Sequence, residues 1–181
     1  RLHHLKNKAA MEQRINEILE FVELTDRADD KSRRYSGGMK RRLMIGMALL
    51  HKPKMLFLDE PTVGLDPQVR RKMWDLIRKM NEAGMTVLLT THYIEEADQL
   101  CRRVAIMNRG RIIAVDTPQK LKEKVGRVVV EHMEADGMIN NFFDNREQAA
   151  SYVAGLNSNA TVREANLEDV FIELTGRRVN D

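Results

Sequence analysis

Asp59 and Glu60 are adjacent carboxylates that follow the apolar run Met55-Leu56-Phe57-Leu58 and precede Pro61. Such a run reads as a strand buried on both faces of a parallel sheet. Ligands of open α/β sheets bind beyond the C-terminal ends of such strands. There Asp59 can hold Mg²⁺, a hard cation that takes few carboxylates and keeps its waters. Glu60 can then orient or deprotonate a water. The same Asp-Glu-Pro also reads as a plain turn leaving a strand, and the fragment alone balances the two readings. Ser36-Gly37-Gly38 stands before a helical pattern. Its glycines let backbone approach a ligand closely, and a helix N-terminus offers unpaired N–H groups and a positive dipole end. Taken alone, the tripeptide reads better as a helix start capped by Ser36. The seven Lys and Arg from Arg27 to Arg42, set against Asp29 and Asp30, read alone as a solvated face. Beside the glycines they tilt the reading toward an anion. His92 follows a second apolar run and can hydrogen-bond a phosphate oxygen, although a lone histidine more often has a structural place. Asp66 before Pro67 reads as an ordinary helix cap.

Alternating elements must position these groups. Met11, Ile15, Ile18, Leu19 and Val22 form one stripe of a helix over Ala9 to Leu24. Residues Thr25 to Tyr35 are polar and turn-like. The helix after Gly38 is apolar nearly all round, which predicts burial, and Pro53 marks its end. Strand 55–58 is followed by a helix from Pro67 to Gly84 and by a second buried strand, Thr86 to Thr91. A short helix at Ile94 to Leu100, a strand at Val104 to Met107 and its antiparallel partner at Arg111 to Val115 come next. Pro118 opens another helix. This order predicts an α/β fold on a mostly parallel sheet. After Gly126 the pattern becomes strand (Arg127 to Met133), helix (Arg146 to Leu156), strand (Ala160 to Glu164) and helix (Leu167 to Leu174). The expected divisions are a helical subdomain at 1–52, the C-terminal half of an α/β core at 53–126 and a small α+β appendage at 127–181.

Composition bounds the rest. With 43% hydrophobic and 31% charged residues, the 181-residue chain is globular rather than disordered. Its longest apolar run, Leu43 to Leu50, is far short of the roughly 18 residues that span a bilayer. The first residues are polar, which argues against a secretory signal. One cysteine, Cys101, excludes an internal disulfide and suits a reducing compartment. A net charge of +3, with both signs interspersed, gives no charge-based case for nucleic acid.

The order of the motifs is more specific than any one of them. Tyr35-Ser36-Gly37-Gly38-Met39, Leu58-Asp59-Glu60-Pro61-Thr62, Gly64-Leu65-Asp66-Pro67 and Thr91-His92 together resemble the ATP-binding subunits of ABC transporters. In that family they are the signature motif, the Walker B strand with its catalytic glutamate, the D-loop and the switch histidine. The resemblance spans about residues 9–126 and runs more weakly to the end. It implies that Asp59 helps hold Mg²⁺, that Glu60 polarises the attacking water and that His92 contacts the γ-phosphate. It implies that Ser36, Gly37 and Gly38 grip the γ-phosphate of an ATP held by an opposing subunit, and that Asp66 communicates across that interface. Two copies would close head to tail on two ATP molecules and drive a membrane-spanning permease, from the cytoplasmic face of the membrane. The tract Tyr35 to Arg42, the stretch Thr90 to Ala97 and Leu167-Glu168-Asp169-Val170-Phe171 resemble the type-2, multidrug-exporter-like branch. Met39 stands where many members carry glutamine and Tyr35 where many carry leucine, departures that leave the serine–glycine backbone contacts untouched.

A P-loop needs Gly-x-x-x-x-Gly-Lys-Ser/Thr, and none of the ten glycines here precedes a lysine. Together with a first residue of Arg1, this reads as the C-terminal portion of an ATPase, expected by itself to bind Mg-ATP poorly and to hydrolyse none. Missing strands would leave apolar surface open to self-association. The competing readings are a non-transport ATPase of the same class, acting on DNA or the ribosome, and a regulatory module that has lost catalysis.

Overall fold

The computed structural model describes residues 8–134, 137–156 and 158–176. They form two compact units that divide between Thr91 and His92.

The first unit runs α1 (Lys8–Phe21), α2 (Gly37–Leu49), β1 (Met55–Asp59), α3 (Pro67–Glu82) and β2 (Thr86–Thr90). Between α1 and α2, two short 3₁₀ turns at Thr25–Arg27 and Ser32–Arg34 are closed by the buried Tyr35, whose hydroxyl donates to the Arg27 carbonyl at 2.6 Å. Helices α1 and α2 meet at Gly46, where an added Cβ would lie 3.0 Å from Ile18 Cγ2. Arg14 and Arg42 fasten the pair by donating to the Leu49 and Val22 carbonyls at 2.9 and 3.0 Å. Helix α3 buries Met73, Trp74, Leu76, Ile77 and Met80, the three-and-four spacing of a one-sided apolar stripe. It crosses between β1 and β2, which pair in parallel from Met55↔Thr86 to Asp59↔Thr90.

Two expectations are corrected here. Strands β1 and β2 are covered on one face only: Leu56 is buried, while Phe57 is 70% and Leu88 55% exposed. Helix α3 packs on this two-stranded sheet from one side, and the exposed residues show that no described element of the unit covers the other. Helix α2 likewise buries Gly38, Ile45, Gly46 and Leu49 but exposes Met44 and Met47. Its apolar residues outnumber the neighbours available to cover them.

The second unit runs α4 (Ile94–Leu100), β3 (Val104–Asn108), β4 (Arg111–Asp116), α5 (Pro118–Glu123), β5 (Val128–Glu134), β6 (Gly137–Phe143), α6 (Arg146–Ala154), β7 (Ala160–Glu164) and α7 (Leu167–Thr175). Strands β3 and β4 form a hairpin whose two turn residues, Arg109 and Gly110, both take positive φ. That conformation matches the right-handed twist of the strands. Ile106, Leu121, Leu167 and Val170 make one core beneath α7. Strands β6-β5-β7 make an antiparallel sheet, with Val128 and Val130 packed on Ala149 of α6. Strand β6 was not expected from the sequence. The chain is thus mixed α/β, with one parallel pair and two antiparallel sheets among the described residues. None of their helices is long and apolar enough to cross a membrane.

Candidate functional site

Asp59 ends β1 and is exposed. Its register partner is Thr90, and the Thr90 hydroxyl donates to Asp59 Oδ1 across the strand pair. Glu60 leaves the strand at φ +46, a left-handed conformation that costs an ordinary residue about 1–2 kcal/mol. The surroundings hold it there. Its N–H donates to the Thr90 carbonyl at 3.1 Å and to Thr90 Oγ1 at 3.3 Å. Its carbonyl accepts from Arg41 Nη2 at 3.0 Å and from the Val63 N–H at 3.3 Å. Pro61 and Thr62 behind it are buried.

The two glycines of the signature tract have different surroundings. Ser36 caps α2, accepting from the Met39 N–H at 3.3 Å. Gly37 has open space where a side chain would be, as a backbone exposed to a ligand requires. Gly38 is buried, and a Cβ on it would lie 2.4 Å from Val69 Cγ1. Val69 in turn donates its N–H to Asp66 Oδ1 at 2.9 Å, the cap of α3. The first turns of α2 and α3 therefore meet at Val69, and Arg41 in the second turn of α2 reaches Glu60. Ser36, Gly37, Gly38, Asp59, Glu60 and Asp66 thus lie in one connected part of the first unit. His92 opens the second unit, exposed, with its ring 4.4 Å from that of Tyr93.

Three residues take parts in this site that the sequence does not announce, Arg41 among them: read there only as one of a basic cluster facing an anion, it donates to backbone instead. Thr90 becomes Asp59's partner only once the register is known. Val69 and Arg41 act through helix packing, which no local motif announces. Cys101 is no activated nucleophile: burial, and then the Glu96 charge, push its thiol pKa up.

The residues fit Mg²⁺ as a lightly held ion. Asp59 is an exposed carboxylate of which only Oδ1 is engaged among the described residues. Those residues hold no group of three or more His, Cys, Asp or Glu that would make a protein cage. Mg²⁺ uses one or two carboxylates together with waters and substrate phosphates rather than such a cage.

Comparison with known proteins adds an independent line. A family model described as ABC transporter matches residues 1–63. The linearmycin resistance ATP-binding protein LnrL of Bacillus subtilis (strain 168) is 37% identical over 93% of this chain and 65% of its own length. The daunorubicin resistance ATP-binding protein DrrA3 of Streptomyces coeruleorubidus is 38% identical over the whole of this chain and 67% of its own. Among solved structures, CbiO1 from Clostridium perfringens, part of the ABC transporter complex CbiONQ, superposes with a TM-score of 0.60 at 31% identity. That match covers 64% of this chain and 46% of CbiO1. The chain thus spans between 60% and 67% of the length of the curated relatives it matches.

Proposed function

This chain belongs to the ABC transporter ATP-binding family, and on that premise we propose that it supplies the catalytic glutamate of an ATP-hydrolysing subunit that drives export through a membrane-spanning permease. The observation that carries the proposal is the Asp59–Glu60 pair at the open end of β1, its backbone set by Thr90 and by a helix that begins at Ser36-Gly37-Gly38. Phosphoryl transfer asks a protein mainly for positioning and charge stabilisation, and a fixed carboxylate suits that need.

Asp59 would hold Mg²⁺, which when bound neutralises phosphate charge. Glu60 orients the attacking water and accepts its proton at the carboxylate. His92 donates to the γ-phosphate. Ser36 and Gly37 present N–H groups and the positive end of α2 to the γ-phosphate of an ATP bound by a second copy, head to tail. Gly38 keeps that helix end in place, and Asp66 carries the state of one site across the interface. Residues 1–52 would bear the signature, 53–126 the catalytic half of the core and 127–181 an appendage. A permease contact would put the subunit on the cytoplasmic face of the membrane, and the balanced charge gives no case for a nucleic-acid partner. Relatives named for resistance to linearmycin and to daunorubicin suit the export branch. The P-loop is absent from these 181 residues, so the phosphate cradle comes from outside them.

Two measurements test this reading. In the complete subunit, Glu60→Gln should lower turnover at least about a hundredfold while ATP still binds; unchanged turnover removes Glu60 from catalysis. Titration calorimetry on the 181-residue chain alone should show no saturable Mg-ATP binding up to millimolar ATP. Tight stoichiometric binding would mean that the cradle lies within the chain after all.

A further inference from the structure

The carbonyl of Glu60 is held by a residue from the helix that starts with the signature tract. Arg41 Nη2 donates to it at 3.0 Å, across 19 residues of sequence. The adjacent Arg42 is committed elsewhere, donating to the Val22 and Glu23 carbonyls and to Glu23 Oε2. Neighbouring arginines on α2 thus divide the work: one fastens α1 and the other reaches the end of β1.

Glu60 sits at φ +46, in a small basin that non-glycine residues leave unless their surroundings prevent it. Thr90 restrains its N–H side and Arg41 its carbonyl side. A charged donor makes a stronger hydrogen bond than a neutral one. Removing it leaves that carbonyl to the Val63 N–H, at 3.3 Å, and loosens the peptide toward the extended basin, which would redirect the Glu60 side chain. Helix α2 itself has little freedom, because Gly38 in its first turn lies against Val69 of α3. A shift of α2 at that contact would reach the Glu60 carbonyl through Arg41, one turn along from Ser36-Gly37.

We infer that Arg41 is a positioning residue for Glu60, tying the state of the α2 N-terminus to the orientation of the catalytic carboxylate in the same chain. The inference rests on the catalytic reading of Glu60 given above. If α2 grips nucleotide bound by a second copy, Arg41 links occupancy of that site to Glu60 of this one.

The test compares Arg41→Met, Arg41→Lys and Glu60→Gln in the complete subunit, reading kcat, KM for ATP and melting temperature. Arg41→Met should lower kcat about tenfold or more, as small misplacements of catalytic groups do, with KM changed less than about twofold and melting nearly unchanged. Arg41→Lys, which keeps a charged donor, should recover most of the loss. If Arg41→Met fails to fold, Arg41→Gln takes its place with the same expected split. Wild-type kcat in Arg41→Met beside an inactive Glu60→Gln overturns the Arg41 inference and leaves the catalytic reading standing. A loss in Arg41→Met matched by an equal fall in melting temperature, with no recovery in Arg41→Lys, overturns it as well, because a merely structural role would do the same. Full turnover in Glu60→Gln overturns both.

Discussion

Strands β1 and β5 begin alike in sequence and end in different surroundings. Met55-Leu56-Phe57-Leu58 and Val128-Val129-Val130 are both short apolar runs. Phe57 is 70% exposed, whereas Val129 has no exposed surface. Strand β5 is flanked by β6 and β7 and packed by α6. Among the described residues, strand β1 has one partner, β2, and one covered face. The lesson is that an apolar run specifies extended, water-avoiding backbone but not the layers that cover it. The two units differ in kind as well. The second unit joins buried polar groups to one another. His132 accepts or donates at Nε2 with Tyr152 and Asn141, and Arg163 holds Asp169 through two bonds of 2.7 Å. The first keeps Asp59 and Glu60 at the C-terminal end of β1, accessible to solvent.

The contrast breaks most readily at Asp169. It is buried, pairs with Arg163, and closes a capping box by accepting from the Asn166 N–H at 2.8 Å. The Asp169 hydrogen bond, opposed by burial and helped by Glu131, holds the Arg163 guanidinium pKa above its ordinary value. Asp169→Ala should cost the second unit about 2 kcal/mol, since it removes the buried partner of Arg163, which keeps Glu131, and one half of the capping box. Denaturant unfolding followed by a probe in that unit measures it, and a loss under about 1 kcal/mol would show that the pair does little to hold the unit together. A smaller effect sharpens the strand comparison. Val129→Ala should cost about 2 kcal/mol, while Phe57→Ser should change stability by less than about 0.5 kcal/mol. Equal costs would mean that Phe57 is covered in solution. The third contrast lies within the first unit. Gly38→Ala should cost about 1–2 kcal/mol through overpacking on Val69, and Val69→Ala should relieve it. Gly37→Ala, with open space around it, should leave melting almost unmoved. Failure of the Val69→Ala rescue would show that the two helix starts are not in contact.

Much of the fold was legible locally. Helix starts are legible at Ser36, at Asp66 with Pro67, and at Pro118, and the structure has Ser36 and Asp66 each accepting from its own first turn and adds Thr117 as the cap before Pro118. Caps are local chemistry, so nearby residues suffice to read them. The one-sided stripe of α3 was legible for the same reason. Strand β6 was missed although Asp136-Gly137 is a hairpin signal. Its Asn140-Asn141 and Phe142-Phe143 pairs break the alternation that marks a half-buried strand.

Taken by itself, the sequence determined which residues can do chemistry here, in what order they come, and that Ser36, Asp59, Glu60, Asp66 and His92 stand at the ends of elements. Those are properties of residue type and spacing. Tertiary structure alone decided that Thr90 faces Asp59, that Arg41 reaches the Glu60 carbonyl, that Gly38 serves packing while Gly37 stays open, and which apolar strands are covered. Each of these depends on register or on the approach of elements distant in sequence. Their energies arise only when the chain closes on itself, so no local window contains them.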